Sequence, residues 1–405
     1  MDVSQLLDPE LNWERILKSA EHHRLLPALN TAIGGYAKAS DLRARARRQA
    51  WRAMLLTAEL ARIAAAFRTR EIQFLAYKGP ALSQLLYGNS AMRQFGDLDL
   101  LVRPRDVARA KTVLLELGYK SQLQFSPREE RAYLRSGYEY VFSLGSERNL
   151  IELQWQIVPR FYFIPFDIEP LFLRSIEVQL DNAPIQTLGR EDLLLVLCAH
   201  AAKHEWSQVG MLRDIETLAQ SELDWRWILH EARKLGILRI LQISLMAVGE
   251  LFRIPLPDLF RRDPPAANVL KAVQRLTRNL ECDREPAIES FAYFYHQLQI
   301  RERRRTRLCI VWRLATTPSI AEWRSVRMPG QFFWFYRGIR ILRLGKRLWL
   351  AAWQRYRMFI RRSHPLAHAH GSSIALGVPT PRGESPAAAP LLSNTEILPE
   401  YRSGQ

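Results

Sequence analysis

Residues 77–102 read YKGPALSQLLYGNSAMRQFGDLDLLV. The last six form an apolar strand interrupted by Asp97 and Asp99. Residues two apart in a strand point the same way, so the two carboxylates share a face. Like charges that close repel and raise each other's pKa unless a cation intervenes. A hard divalent ion, Mg²⁺ or Mn²⁺, takes carboxylate oxygens and leaves positions for substrate phosphates. Upstream, Lys78 and Gly79 stand at a strand-to-helix junction, where free backbone N–H groups and the helix dipole favour an anion. Lys78 adds a point charge suited to phosphate. Arg93, four residues before Asp97, adds a fork that can hold a triphosphate.

Outward from this stretch, residues 72–77 read as a short strand, and Pro80 opens a helix that ends near Tyr87. Residues 88–96 are loop, and 104–117 a helix stopped by Gly118. Strands at 138–144 and 150–158 flank a hairpin-type turn. In the second of these, Ile151, Leu153, Trp155 and Ile157 fall on one face, and Glu152, Gln154 and Gln156 on the other. Face alternation favours Glu152 over Glu139 as a third carboxylate beside Asp97 and Asp99. Three carboxylates on adjoining strands, next to a phosphate-binding turn, are the parts of a two-metal phosphoryl-transfer site.

The interleaving of strands and helices predicts an α+β fold, a small mixed sheet flanked by helices. Residues 5–34 and 41–70 read as helices that precede it. A mainly helical domain follows, with segments at 190–205, 210–221, 225–235, 238–252 and 286–299. His200 and His204 share a helix face, but Ala201 stands where a zinc-protease helix needs Glu, so they read as polar residues at an interface. Asp214 could pair with Lys203 or Arg213.

Composition narrows the class. Hydrophobic residues make up 48% of the 405, as in ordinary globular chains. No apolar run approaches the roughly 20 residues that span a bilayer, and the first residues lack the basic-then-apolar pattern of a signal peptide. Cys198, Cys282 and Cys309 are far apart and without metal-type spacing, as expected of reduced thiols in a cytoplasmic protein. The net charge of +17 is concentrated: residues 301–362 hold 17 Lys and Arg against Glu302 and Glu322. Between Arg337 and Arg361 a helical projection gathers Ile341, Leu348, Trp349 and Trp353 on one side and Arg340, Arg343 and Arg347 on the other. Three readings fit: a packed helix with a solvated basic face, peripheral contact with an anionic membrane through 331–361, or an RNA-binding face. Residues 363–405, rich in Pro, Gly, Ser and Ala, read as a disordered tail.

The joint layout of K-G-x-A-L from Lys78, L-Y at 86–87, R-x-x-G-D-L-D-L-L-V from Arg93, and a helix ending L-G-Y at 117–119 resembles the polymerase-beta-like nucleotidyltransferase fold. More narrowly it resembles the bacterial family of uncharacterised nucleotidyltransferases, and more distantly the abortive-infection nucleotidyltransferase toxins. IELQW (151–155), LCAHAAKHEWSQVGMLRDI (197–215) and TTPSIAEWRSVRMP (316–329) extend the likeness. The resemblance implies an enzyme that moves an NMP from an NTP to an acceptor hydroxyl with Mg²⁺. Asp97, Asp99 and Glu152 would hold the metal, and Lys78, Gly79 and Arg93 the triphosphate. Lys203 and His204 would contact nucleotide or acceptor from the helical domain. The acceptor is a small molecule, glycan or peptide under the family likeness, and tRNA or protein under the toxin likeness; a degenerate, membrane-associated scaffold is the non-enzymatic alternative. The chain departs from the family at Pro80, which removes a hydroxyl and an N–H from the phosphate turn, and at Gln154, where the family has His. The expected organisation is a helical extension (1–70), a nucleotidyltransferase core (71–160), a helical domain (161–300), a basic aromatic segment (301–362) and the tail.

Overall fold

The carboxylate-bearing strand lies inside a five-stranded mixed sheet, in the order β1 (Phe74–Ala76), β2 (Asp97–Val102), β5 (Asn149–Gln154), β4 (Glu139–Leu144) and β3 (Lys120–Ser121). The computed structural model describes residues 11–316 apart from 37–38, 124, 146–148, 182, 256–265 and 283–289, together with 335, 338–343, 345–346, 349 and 353. Strands β2 and β5 run parallel, and the other neighbours antiparallel. In β2, Leu98, Leu100 and Val102 are fully packed on one face, while Asp97 and Asp99 open the other. β1 leads at once into α4 (Gly79–Tyr87), which Gly88 ends in a left-handed conformation.

Before the sheet come α1 (Trp13–His22), α2 (Leu26–Ile33) and the long α3 (Ser40–Thr69). The expected single helix over 5–34 is thus two, within its described part. The chain turns at residues 23–25, with Arg24 at φ 59°, and restarts with Pro27 in the first turn of α2. The helix expected from Pro104 opens instead as a 3₁₀ turn (Pro104–Asp106) before α5 (Val107–Glu116). The strand expected to reach residue 158 leaves the ladder after Gln154, although Trp155, Ile157 and Val158 stay buried.

Several elements were not anticipated, among them β3, the helices Ala267–Glu281 and Arg304–Thr316, and the following. α6 (Pro127–Ser136) is fixed by a capping box between Ser126 and Glu129. After α7 (Ile168–Leu173), β6 (Ile176–Leu180) and β7 (Ala183–Thr187) form a separate hairpin.

The helical part is α8 (Arg190–Lys203), α9 (Val209–Ala219), α10 (Trp225–Leu235), α11 (Leu238–Phe252), α12 (Ala267–Glu281), α13 (Phe291–Gln299) and α14 (Arg304–Thr316). α8 is apolar nearly all round and is correspondingly central. One hydrophobic core runs from Leu75, Tyr77 and Leu101 of the sheet region through Leu193 and Leu197 of α8 to Ile240 and Leu245 of α11. The chain divides into two units, 1–311 and 312–405, and the sheet belongs to the first. Most of the basic segment at 331–361, the motif beyond residue 316 and the whole tail lie outside the described residues. No helix among the described residues is long and apolar enough to cross a membrane.

Candidate active site

Register brings the acidic side chains together. Asp99 is the partner of Glu152 across the parallel pair β2–β5, and Glu139 of β4 lies opposite Gln154. Opposed residues point to the same face, and Asp97, Asp99, Glu152 and Glu139 therefore line one patch of the sheet. Gln154 ties it together: Nε2 donates to Asp99 Oδ1 at 3.0 Å and to Glu152 Oε2 at 2.8 Å, and Oε1 accepts from the Tyr77 hydroxyl. Lys78 Nζ sits 2.8 Å from Asp99 Oδ1, with the Asp99 side chain 1% exposed.

The junction that holds Lys78 depends on Gly79. Its φ is +58°, and a Cβ there would lie 3.3 Å from the Asp97 carbonyl oxygen. Both conditions favour glycine. Pro80 then takes the first turn of α4, where a missing N–H costs nothing to the helix. The amides of Ala81 and Leu82 belong to the same turn, beside the start of β2.

Burial, and then the neighbouring carboxylates, push Glu152 well above the usual carboxylate range. Asp97 is raised for the same two reasons, with Lys78, Arg24 and Arg93 opposing. Glu139 is raised by burial, with Lys203 pulling against it. Burial works to lower Lys78, but Asp99, Glu152 and Asp97 carry its pKa up, so the ammonium stays charged. These are the signatures of acidic groups crowded into a poorly hydrated place.

The donor set is all oxygen, and Asp99 Oδ2 and Glu139 Oε2 are buried with no hydrogen-bond partner among the described residues. That chemistry fits a hard divalent cation. Among the described residues no three His, Cys, Asp or Glu side chains are arranged to hold a metal ion as they stand. Lys78 and Gln154 take up Asp99 Oδ1 instead.

The end of α8 faces this patch. Lys203 lies within electrostatic reach of Glu139, its Nζ 5.8 Å from the Tyr138 ring. The His200 and His204 rings are 4.7 Å apart, and burial together with Lys78, Lys203 and Arg24 keeps both imidazoles neutral. The helix end is clamped. Tyr293 OH donates to the Lys203 carbonyl and Gln297 Nε2 to that of Ala202, each at 2.7 Å. Glu205 and Trp206 follow, both at φ 52°, with the Trp206 indole donating to Ser244 Oγ at 2.9 Å.

Arg93 is buried and donates through Nε to Asp214 Oδ2 at 2.7 Å. Asp214 therefore pairs with neither Lys203 nor Arg213, because the loop before β2 delivers Arg93 to α9 first. Sequence reasoning missed Arg24, whose charge is within reach of Asp97, Asp99 and Asp214. Its only signal was Pro27, three residues on, hinting at a break in the N-terminal helix. A cavity of about 740 Å³ lies at the other end of β2, lined by Arg68, Arg103, Arg105, Arg109 and Phe172, and none of the four carboxylates borders it.

This sheet with the helices packed around it is an α+β fold. The chain belongs to the family of uncharacterised nucleotidyltransferases, whose family model matches residues 9–253. Among solved structures it is similar to the antibiotic-resistance factor ANT(2'')-Ia, at 13% identity over 45% of this chain and 91% of that one, with a TM-score of 0.34. The same factor in complex with adenylyl-2''-tobramycin gives 13% identity, 45% and 97% coverage, and a TM-score of 0.33. An antigenic nucleotidyltransferase-like protein from Paracoccidioides brasiliensis gives 14%, 58% and 96%, with a TM-score of 0.31. No curated protein matches the chain. The assignment rests on the family match.

Proposed function

We propose that the chain transfers an NMP from an NTP to an acceptor hydroxyl, with pyrophosphate as the other product. The observation that carries this reading is the Asp99–Glu152 register pair, with Asp97 beside it and Lys78 on Asp99. Asp97, Asp99 and Glu152 would hold Mg²⁺ or Mn²⁺. Bound there, the ion supplies charge neutralisation and polarisation of the phosphate oxygens. Lys78 and the first amides of α4 bind the triphosphate. Arg93 spends only Nε on Asp214, which leaves both Nη ends for phosphate.

Glu152, set beside Asp99 on the polar face of the sheet, is placed to take the proton from the acceptor hydroxyl as its oxygen attacks the α-phosphorus. The bond to the β-phosphate oxygen then breaks, and the electron pair leaves with pyrophosphate. Gln154 keeps Glu152 and Asp99 oriented but transfers no proton. Lys203 and His204 border the acceptor side. Neutral His204 can accept or donate a hydrogen bond there.

The test is incubation of the full chain with each α-phosphate-labelled NTP, Mg²⁺ and an acceptor panel of sugars, peptides and tRNA. Label transfer with pyrophosphate release, lost in Asp99→Asn, is expected; transfer that survives the substitution overturns the reading. Peripheral contact of 331–361 with an anionic membrane is supported by exposed Leu342, Trp349 and Trp353. Sedimentation with phosphatidylglycerol vesicles, unchanged after removal of residues 331–405, would reject it.

A further inference from the structure

Arg24 is a cation of the site to which the reaction above gives no task. It occupies the turn between α1 and α2 at φ 59°, a conformation that suits glycine and strains a residue with a Cβ. The turn is held from two sides. Gly210 N, in the first turn of α9, donates to the His23 carbonyl at 2.9 Å, and Leu26 N donates to Gln94 Oε1 at 2.9 Å. A Cβ on Gly210 would stand 2.9 Å from the His23 carbonyl oxygen and 3.0 Å from Arg24 Cβ, so the approach is as close as glycine allows. Arg24 is thereby pressed against the two segments that carry Arg93 and Asp214, and with them it lines a polar niche with room for about one water.

No ion pair or hydrogen bond among the described residues uses the Arg24 guanidinium. Asp214 is already taken by Arg93 and by the Tyr87 hydroxyl. Burial and the adjacent Arg93 guanidinium lower the pKa of Arg24, against the pull of Asp97, Asp214 and Asp99. A half-buried guanidinium that stands near these carboxylates and bonds to none of them keeps its N–H donors for an anionic ligand. The anion must meet the Asp97 end of β2. Gly79 and the N-terminus of α4 are packed on that same end, so backbone N–H groups converge there too.

We propose that Arg24 binds the terminal phosphates of the incoming nucleotide, alongside Lys78 and Arg93, and then holds the departing pyrophosphate. A planar guanidinium presents paired N–H donors that match phosphate oxygens. The inference rests on the nucleotidyltransferase reading and adds to it a phosphate-binding residue from outside the sheet.

The test is calorimetric titration of the full chain in Mg²⁺ with inorganic tripolyphosphate, with pyrophosphate and with each NTP. Wild type is compared with Arg24→Gly and Arg24→Lys, and melting is recorded in parallel. Arg24→Gly is expected to weaken both anions by about 10- to 100-fold, with a melting temperature equal to or above wild type, because glycine suits φ 59°. Arg24→Lys should fall between. Equal affinity in wild type and Arg24→Gly overturns the assignment and leaves the nucleotidyltransferase reading standing. Loss of affinity in step with loss of melting temperature marks a structural arginine and also overturns it. A wild type that binds neither tripolyphosphate nor any NTP sinks the nucleotidyltransferase reading, and this inference with it.

Discussion

Arg93 and Asp214 form an ion pair that closes the loop before β2 onto α9, with side chains 10% and 4% exposed. Tyr87 OH takes the other Asp214 oxygen at 2.8 Å. Asp214→Ala strands a buried guanidinium and should cost about 3–5 kcal/mol. Denaturant unfolding measures it. The double variant Arg93→Met, Asp214→Leu should recover most of the loss, and a double variant as unstable as the single one would refute the stranded-charge account.

Asp97, Glu139 and Glu152 all have raised pKa values. Such groups keep protons in the fold that the unfolded chain has released. Their stabilising contribution is complete below the ordinary values of 3.8 and 4.5, and is lost as pH climbs through the folded values. In chelating buffer the melting temperature should therefore decline from about pH 5 to about pH 8, and Glu152→Gln should flatten the decline. Added Mg²⁺ should help more at the upper end. A chelated protein that gains stability across this range contradicts the account.

Asp97→Asn and Asp99→Asn separate function from stability. Each removes a proposed metal oxygen and should lower NMP transfer by at least about 100-fold. Asp97→Asn also relieves repulsion with Asp99, so its melting temperature should match or exceed that of wild type in chelating buffer. Circular dichroism melts beside the labelling assay give both readings, and a collapsed fold in Asp97→Asn would show that its charge is structural.

Gly79→Ala forces a Cβ into left-handed backbone beside the Asp97 carbonyl. A stability loss of about 1–2 kcal/mol is expected. A rise in KM for NTP should accompany it, because the first turn of α4 shifts away from β2. Steady-state kinetics at saturating acceptor would reveal an unaltered KM, and with it a junction that does not bind phosphate.

Most of the sheet was legible because β2 and β5 carry period-two patterns with acidic residues on one face, and that pattern survives packing. The parallel pairing of β2 with β5 was expected only as adjacency. Its register, which sets Asp99 against Glu152, is a long-range choice that no local pattern states. Arg24 was hidden for a related reason: a helical period runs through residues 13–33, and the break depends on Gly210 and Gln94, far along the chain. The β6–β7 hairpin was missed because Pro184 lies inside it, a residue that normally argues against a strand and is tolerated in this two-stranded ribbon.

The last carbonyls of α8, at Ala202 and Lys203, are capped by Gln297 and Tyr293, some ninety residues downstream. Anyone trimming the chain to a minimal working piece should keep everything through α13. A cut after α11 would take the Tyr293 and Gln297 donors from the end of a buried helix and let the Lys203 end drift from the acidic patch. The smallest portable version of this enzyme is set by where one helix is tied off, and the sheet alone falls well short of it.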